Sequence, residues 1–249
     1  MKQTRCIKFV IVAYILCTQV NLYSQDIHSQ SKNDTTWWYP IYSSGMNFLE
    51  QNDFQSAKNE FSKILEKDDE VAYGHYALGL VYDSLENGGT TAEKYLLEAI
   101  DLDPEFIEAY YYLGFYYEKM TREDITHGQD SRRKFKAVTQ IDPHFVDGWL
   151  QWARVTERFF WPPHSEPAEI LAQGLKINPQ SKKLYLAFIQ SVFWHSEEDQ
   201  GIPTLRFMMK TFPSEPKYPT DLAKIFYNLE RYPECSSMID SIESNYSGY

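Results

Sequence analysis

The chain has 249 residues, 43% of them hydrophobic, and a formal net charge of −11. That length and apolar share allow a sizeable core in one or two domains. The excess of acid excludes the basic footprint that nucleic acid demands and works against anionic lipid surfaces. With only three cysteines, two of them in the first 17 residues, a disulfide framework and a Cys-based metal site are excluded as well.

In chain order, Lys2, Arg5 and Lys8 border an apolar run from Phe9 to Cys17, and polar residues follow up to Leu22-Tyr23-Ser24-Gln25. A basic start, a short apolar run and a small residue at a cleavable place predict a secretory signal peptide over 1–24. The run is short for a membrane span, yet a single N-terminal anchor stays open. So does a lipoprotein built on Cys17, although Leu16 stands where a lipobox has a small residue. Removal of 1–24 takes away three positive charges and no acid, moves the formal charge to −14, and leaves Cys235 as the one cysteine. Residues 25–37, mostly polar and aperiodic, read as a flexible lead-in.

From Trp38 onward the pattern is periodic. Gly45, Gly79 and Gly114 are 34 and 35 residues apart, each inside a helical apolar pattern where glycine normally costs stability. Tyr110-x-x-Leu113-Gly114-x-x-Tyr117 matches His75-x-x-Leu78-Gly79-x-x-Tyr82 and, more loosely, Ile41-x-x-Ser44-Gly45-x-x-Phe48. A second helix recurs as Ala57-x-x-x-Phe61-x-x-Ile64 and Ala92-x-x-x-Leu96-x-x-Ala99. Small residues at these places let two helices approach while large ones fill the groove between them. Weaker copies open at Trp149, Tyr185 and Leu222. Pro104, Pro143, Pro179 and Pro213 fall between copies, where a missing amide stops one helix and starts the next.

These frames resemble the tetratricopeptide repeat, over roughly Trp38 to Tyr246. The resemblance implies an all-α, right-handed α-solenoid of antiparallel helical hairpins. About six repeats are expected, near 38–71, 72–106, 107–145, 146–181, 182–215 and 216–246, within one domain spanning 38–246. Gly45, Ala57, Leu78, Gly79, Ala92, Ala99, Leu113, Gly114 and Tyr117 are expected to pack repeat on repeat. Two stretches, 121–130 and 161–167, are expected as loops between the helices of the third and fourth repeats.

Nothing in the pattern calls for a cofactor, a metal or a small-molecule substrate. The six histidines are scattered singly, and His75 takes the slot of Tyr110 and Trp149, a packing position. The acid-rich turn around Asp101 and Asp103 lacks the ligand spacing of a calcium loop. Gly88-Gly89 reads as a turn, and no serine sits in a nucleophile elbow. An enzyme with its site under the 161–167 loop is the remaining catalytic alternative.

Binding is the expected function, because in such arrays the first helices line a concave face that receives a peptide or a partner helix. Projected onto that face are Tyr42, Met46, Tyr76, Leu80, Tyr111 and Phe115, then Leu150 and Arg154, with Leu186 and Gln190 beyond. This predicts a groove that is aromatic first and mixed in polarity later, holding a protein or peptide partner in the cell envelope, periplasmic or secreted. These rings equally fit a role in packing between repeats. Family members that clamp a C-terminal carboxylate use Lys, Asn and Arg at the inward places, so a carboxylate clamp is not expected. The alternative is a spacer or assembly module acting through its ends or convex side, as part of a longer envelope protein or by self-association through an uncapped sixth repeat.

Overall fold

The structure, a computed structural model, describes residues 37–85, 89–121, 126–159, 166–194 and 198–246. The expected signal peptide and all of the lead-in but Trp37 lie outside the described residues. So do 122–125 and 160–165, which take in four residues of the expected 121–130 insertion and five of the expected 161–167 insertion.

Among the described residues there are twelve α-helices and no strand. They are α1 (Tyr39–Glu50), α2 (Phe54–Lys67), α3 (Ala72–Ser84), α4 (Gly89–Leu102), α5 (Ile107–Met120) and α6 (Thr126–Ile141), then α7 (Val146–Phe159), α8 (Glu166–Ile177), α9 (Lys182–Trp194), α10 (Glu198–Thr211), α11 (Lys217–Asn228) and α12 (Tyr232–Tyr246). Consecutive helices pack in pairs: α1 with α2 and α3 with α4, then α7 with α8, α9 with α10 and α11 with α12. The chain forms two compact units, an N-terminal one ending at Tyr116 and a C-terminal one beginning at Tyr117.

The turns between hairpins repeat one design. The residue that closes the second helix donates its amide back into that helix: Asp68 to Ile64, Asp103 to Ala99, Asp142 to Val138, Asn178 to Gly174 and Phe212 to Met208. In the last four, proline follows, and the residue two beyond it donates to the carbonyl of the closing residue at 3.0–3.1 Å. Proline at the second position of such a turn already has the required φ. The carboxylates of Asp68, Asp103 and Asp142 also each accept the amide two residues on. Short turns inside the first and last hairpins use another device. Asn52 and Glu230 adopt φ of 60° and 58°, and the next amides, of Asp53 and Arg231, donate to the carbonyls of Phe48 and Phe226, as in helix ends closed by a left-handed residue.

In the N-terminal unit α1 packs on α2, α2 on α3 and α3 on α4, and α1 also meets α3. The glycines make this approach possible. A Cβ on Gly45 would come within 2.3 Å of the Phe61 ring, and one on Gly79 would lie 2.7 Å from Leu96. An aromatic chain runs through the same core: Trp38 stacks on Tyr73 at 4.8 Å, Tyr73 meets Phe106 at 4.6 Å, and Phe106 meets Tyr76 at 5.1 Å. Offset and edge-to-face ring pairs of this kind add to the area they bury.

The C-terminal unit repeats the order, α6 on α7, α7 on α8 and so on to α12, with the first helices α7 and α9 also in contact. Gly174 sits against the Trp149 ring, where a Cβ would come within 2.9 Å. Both expected loops are shorter than the sequence indicates. Helix α6 begins at Thr126, because His127 stacks on Tyr117 at 5.7 Å and Gly128 is buried against Phe159. Helix α8 begins at Glu166, which pairs with Arg132, and Pro167 occupies an early helical position that needs no amide donor. Gly89, expected in a turn, is the first residue of α4.

Candidate functional site

All nine residues expected to pack the repeats, Gly45, Ala57, Leu78, Gly79, Ala92, Ala99, Leu113, Gly114 and Tyr117, are buried. His75 lies in the same setting as Trp149. Its Nε2 is 2.7 Å from the carbonyl of Asp69, six residues earlier, and Trp149 Nε1 donates to the carbonyl of Pro143, also six residues earlier. Each ring thus ties the start of a first helix to the preceding turn.

The residues projected as partner-facing divide sharply. Tyr42, Tyr76, Leu80 and Tyr111 keep only 4–8% of their surface exposed, and Met46 and Phe115 are half-buried. Tyr76 is held between Phe106 and Tyr112, and Tyr111 meets Phe115 edge-on at 5.1 Å. The neighbouring Tyr112 donates its hydroxyl to Asp83 at 2.8 Å, and burial, helped by the Asp83 charge, pushes that phenol well above its ordinary range. The aromatic row of the N-terminal unit is therefore chiefly core.

In the C-terminal unit Leu150 and Arg154 are half-buried, and Leu186 and Gln190 are exposed. Leu150 and Arg154 of α7 and Gln190 of α9 line a hollow of about 390 Å³. Pro167 and Leu171 of α8 contribute to its lining, as do Ala153 and Glu157 of α7 and Ala187, Ser191 and Trp194 of α9. Leu186 and Trp194 are 66% and 76% exposed. Trp194 was not among the projected residues. The signal for it is its spacing, four residues after Gln190 and eight after Leu186, on one helix face.

Arg154 is fixed in place. Its Nη1 and Nη2 donate to the two carboxylate oxygens of Glu118 at 2.8 and 2.5 Å, and its Nε donates to Gln151 at 2.6 Å. Arg158 adds a third guanidinium bond to Glu118 at 2.6 Å. Burial alone would raise the Glu118 pKa, but the hydrogen bonds and charges of the two arginines outweigh it and hold the carboxyl below its usual range. Among the described residues no group of three or more His, Cys, Asp or Glu is placed to hold a metal, and no helix is long and apolar enough to cross a membrane. His28, His164 and His195 lie outside the described residues.

No family model matches the chain. A stretch of 71 residues is 38% identical to Superkiller complex protein 3 of Mus musculus, covering 27% of this chain and 4% of that protein's length. Among solved structures, PilF of Pseudomonas aeruginosa is similar with a TM-score of 0.52 at 15% identity, covering 85% of this chain and 93% of that one. A tetratricopeptide repeat protein of Parabacteroides merdae gives 0.50 at 10% identity, with 84% and 79% covered. The Naa15/Naa10 complex bound to HypK gives 0.59 at 12% identity, with 82% of this chain and 31% of that one covered. At such identities the likeness establishes the fold: an all-α array of helical hairpins of the tetratricopeptide type.

Proposed function

Since this chain is a tetratricopeptide-repeat protein by fold, we propose that it is a non-enzymatic protein-binding scaffold, exported to the cell envelope, that holds a segment of a partner between the first helices of its C-terminal unit. The observation that carries this reading is the hollow between α7 and α9, which gathers three projected residues, Leu150, Arg154 and Gln190, beside an exposed Trp194. Exposed aromatic and apolar side chains next to an ordered guanidinium are the anchors that protein interfaces use. The N-terminal unit contributes chiefly a rigid body, with Met46 and Phe115 as its partner-facing side chains. Export rests on the basic and apolar pattern of residues 1–24.

The test places a photo-crosslinking residue at Leu186 in one variant and at Gln173, on the exposed side of α8, in another. Illumination in the native envelope should trap a discrete partner from position 186 and not from position 173. Equal trapping at both would remove the groove assignment. Fusion of residues 1–25 to a reporter active only outside the cytoplasm tests export separately, and a silent reporter would overturn it.

A further inference from the structure

Resting on the reading of the hollow between α7 and α9 as the partner site, we propose that its ligand is an extended peptide segment with one large uncharged apolar anchor. The ligand is neither a carboxyl terminus nor an acidic segment. Arg154 is the one cation among the described residues that line the hollow, and three of its five N–H donors, one on each guanidinium nitrogen, are already given to Glu118 and Gln151. Glu157, one turn further along α7, brings a negative charge to the same wall. A carboxylate entering here would share Arg154 with the Glu118 carboxylate and face Glu157, and like charges at short range are costly in a partly desolvated site.

The remaining chemistry fits a peptide backbone. Leu150, Ala153, Ala187 and Leu171 form the apolar walls of the hollow, whose volume of about 390 Å³ holds one large side chain together with the backbone on either side of it. At its side stand two groups able both to donate and to accept. Gln190 is exposed, and Ser191 is 7% exposed with a hydroxyl that has no hydrogen-bond partner among the described residues. A buried hydroxyl left unmade is costly, and a backbone amide or carbonyl would satisfy it after one side-chain rotation. Leu186, Gln190 and Trp194 lie along one strip of α9, and eight residues of helix rise about 12 Å. That is the length of roughly four residues of extended chain.

The test exposes the folded full-length protein to two bead-bound pools of randomised heptapeptides, one ending in an amide and one in a free carboxylate. Selected peptides should carry a single central Leu, Met or Phe without flanking Asp or Glu, and the amidated and free forms of one sequence should bind within about twofold of each other. Gln190→Arg, which adds a cation at an exposed position, should shift selection toward acidic or free-carboxylate peptides by roughly tenfold. If the wild type prefers free carboxylates or acidic flanks by that margin, the hollow remains a peptide site and the proposed chemistry is wrong. If neither pool yields a peptide whose binding is lost on Ala187→Trp, the hollow is not a peptide site, and this inference falls with it.

Discussion

The two units use one register for opposite ends. In the N-terminal unit, Tyr76 and Tyr111 occupy the places taken by Leu150 and Leu186 in the C-terminal unit, yet the tyrosines keep 4–8% of their surface and Leu186 keeps 66%. Register decides which face a residue is on; the bulk of its neighbours decides whether that face is open. Around Tyr76 the neighbours are Phe106 and Tyr112, and they close the space. Around Leu150 they are Ala153, Ala187 and Gln190, and a hollow remains.

The contrast is broken most severely by substitution in the closed unit. Tyr76→Ala removes a buried ring from between two others and is expected to lower stability by about 3–5 kcal/mol in urea unfolding. A loss under about 1 kcal/mol would mean that the aromatic row is a surface after all. Gly79→Leu places a side chain where even a Cβ lies 2.7 Å from Leu96, and overpacking of this kind costs about 1–3 kcal/mol. Tyr112→Phe takes from Asp83 a donor at 2.8 Å in a buried setting, which is expected to cost about 1–3 kcal/mol by the same measurement.

Those three residues also mark how far the sequence is legible. Gly79 stands out because the same small residue recurs 34 or 35 residues apart, and Pro104, Pro143, Pro179 and Pro213 after four of the closing helices are equally plain, since both follow from local sterics. The start of α6 at Thr126 is not legible. It depends on the Tyr117 and Phe159 rings that receive His127 and Gly128, contacts no local pattern encodes. The depth of Tyr76 is hidden for the same reason, because a helical period gives direction and not distance to the next helix. Glu118 is hidden too: its partners Arg154 and Arg158 lie 36 and 40 residues away, and in sequence it reads as one more acid on a solvated helix.

Acid separates the units by sign, because two carboxyls ten residues apart on α5 shift in opposite directions. Glu108, in the N-terminal unit, is raised above 4.5 by burial and by the charge of Asp103. A carboxyl that holds its proton more tightly when folded adds stability as pH falls through its raised value. Glu118, in the C-terminal unit, is held below 4.5. Its contribution is complete above the unfolded value and is lost as pH falls toward the lower folded one. The expected outcome is that Glu118→Gln flattens the loss of stability between about pH 5 and pH 3, while Glu108→Gln removes a gain. Identical pH profiles for wild type and both variants would show that neither carboxyl is coupled to folding.

The smallest effect on stability is expected at Trp194, and it is the most informative about function. A side chain 76% exposed at the last residue of α9 loses little packing when it is truncated, so Trp194→Ala should change unfolding free energy by no more than about 0.5 kcal/mol. An aromatic anchor at an interface, by contrast, commonly accounts for about 2 kcal/mol or more of binding on truncation. The ratio of the two losses therefore distinguishes the roles: near zero in folding and large in peptide capture for a partner-facing residue, the reverse for Tyr76. If Trp194→Ala leaves both unchanged, the open strip on α9 is bare surface, and the difference between the units reduces to how well each is filled.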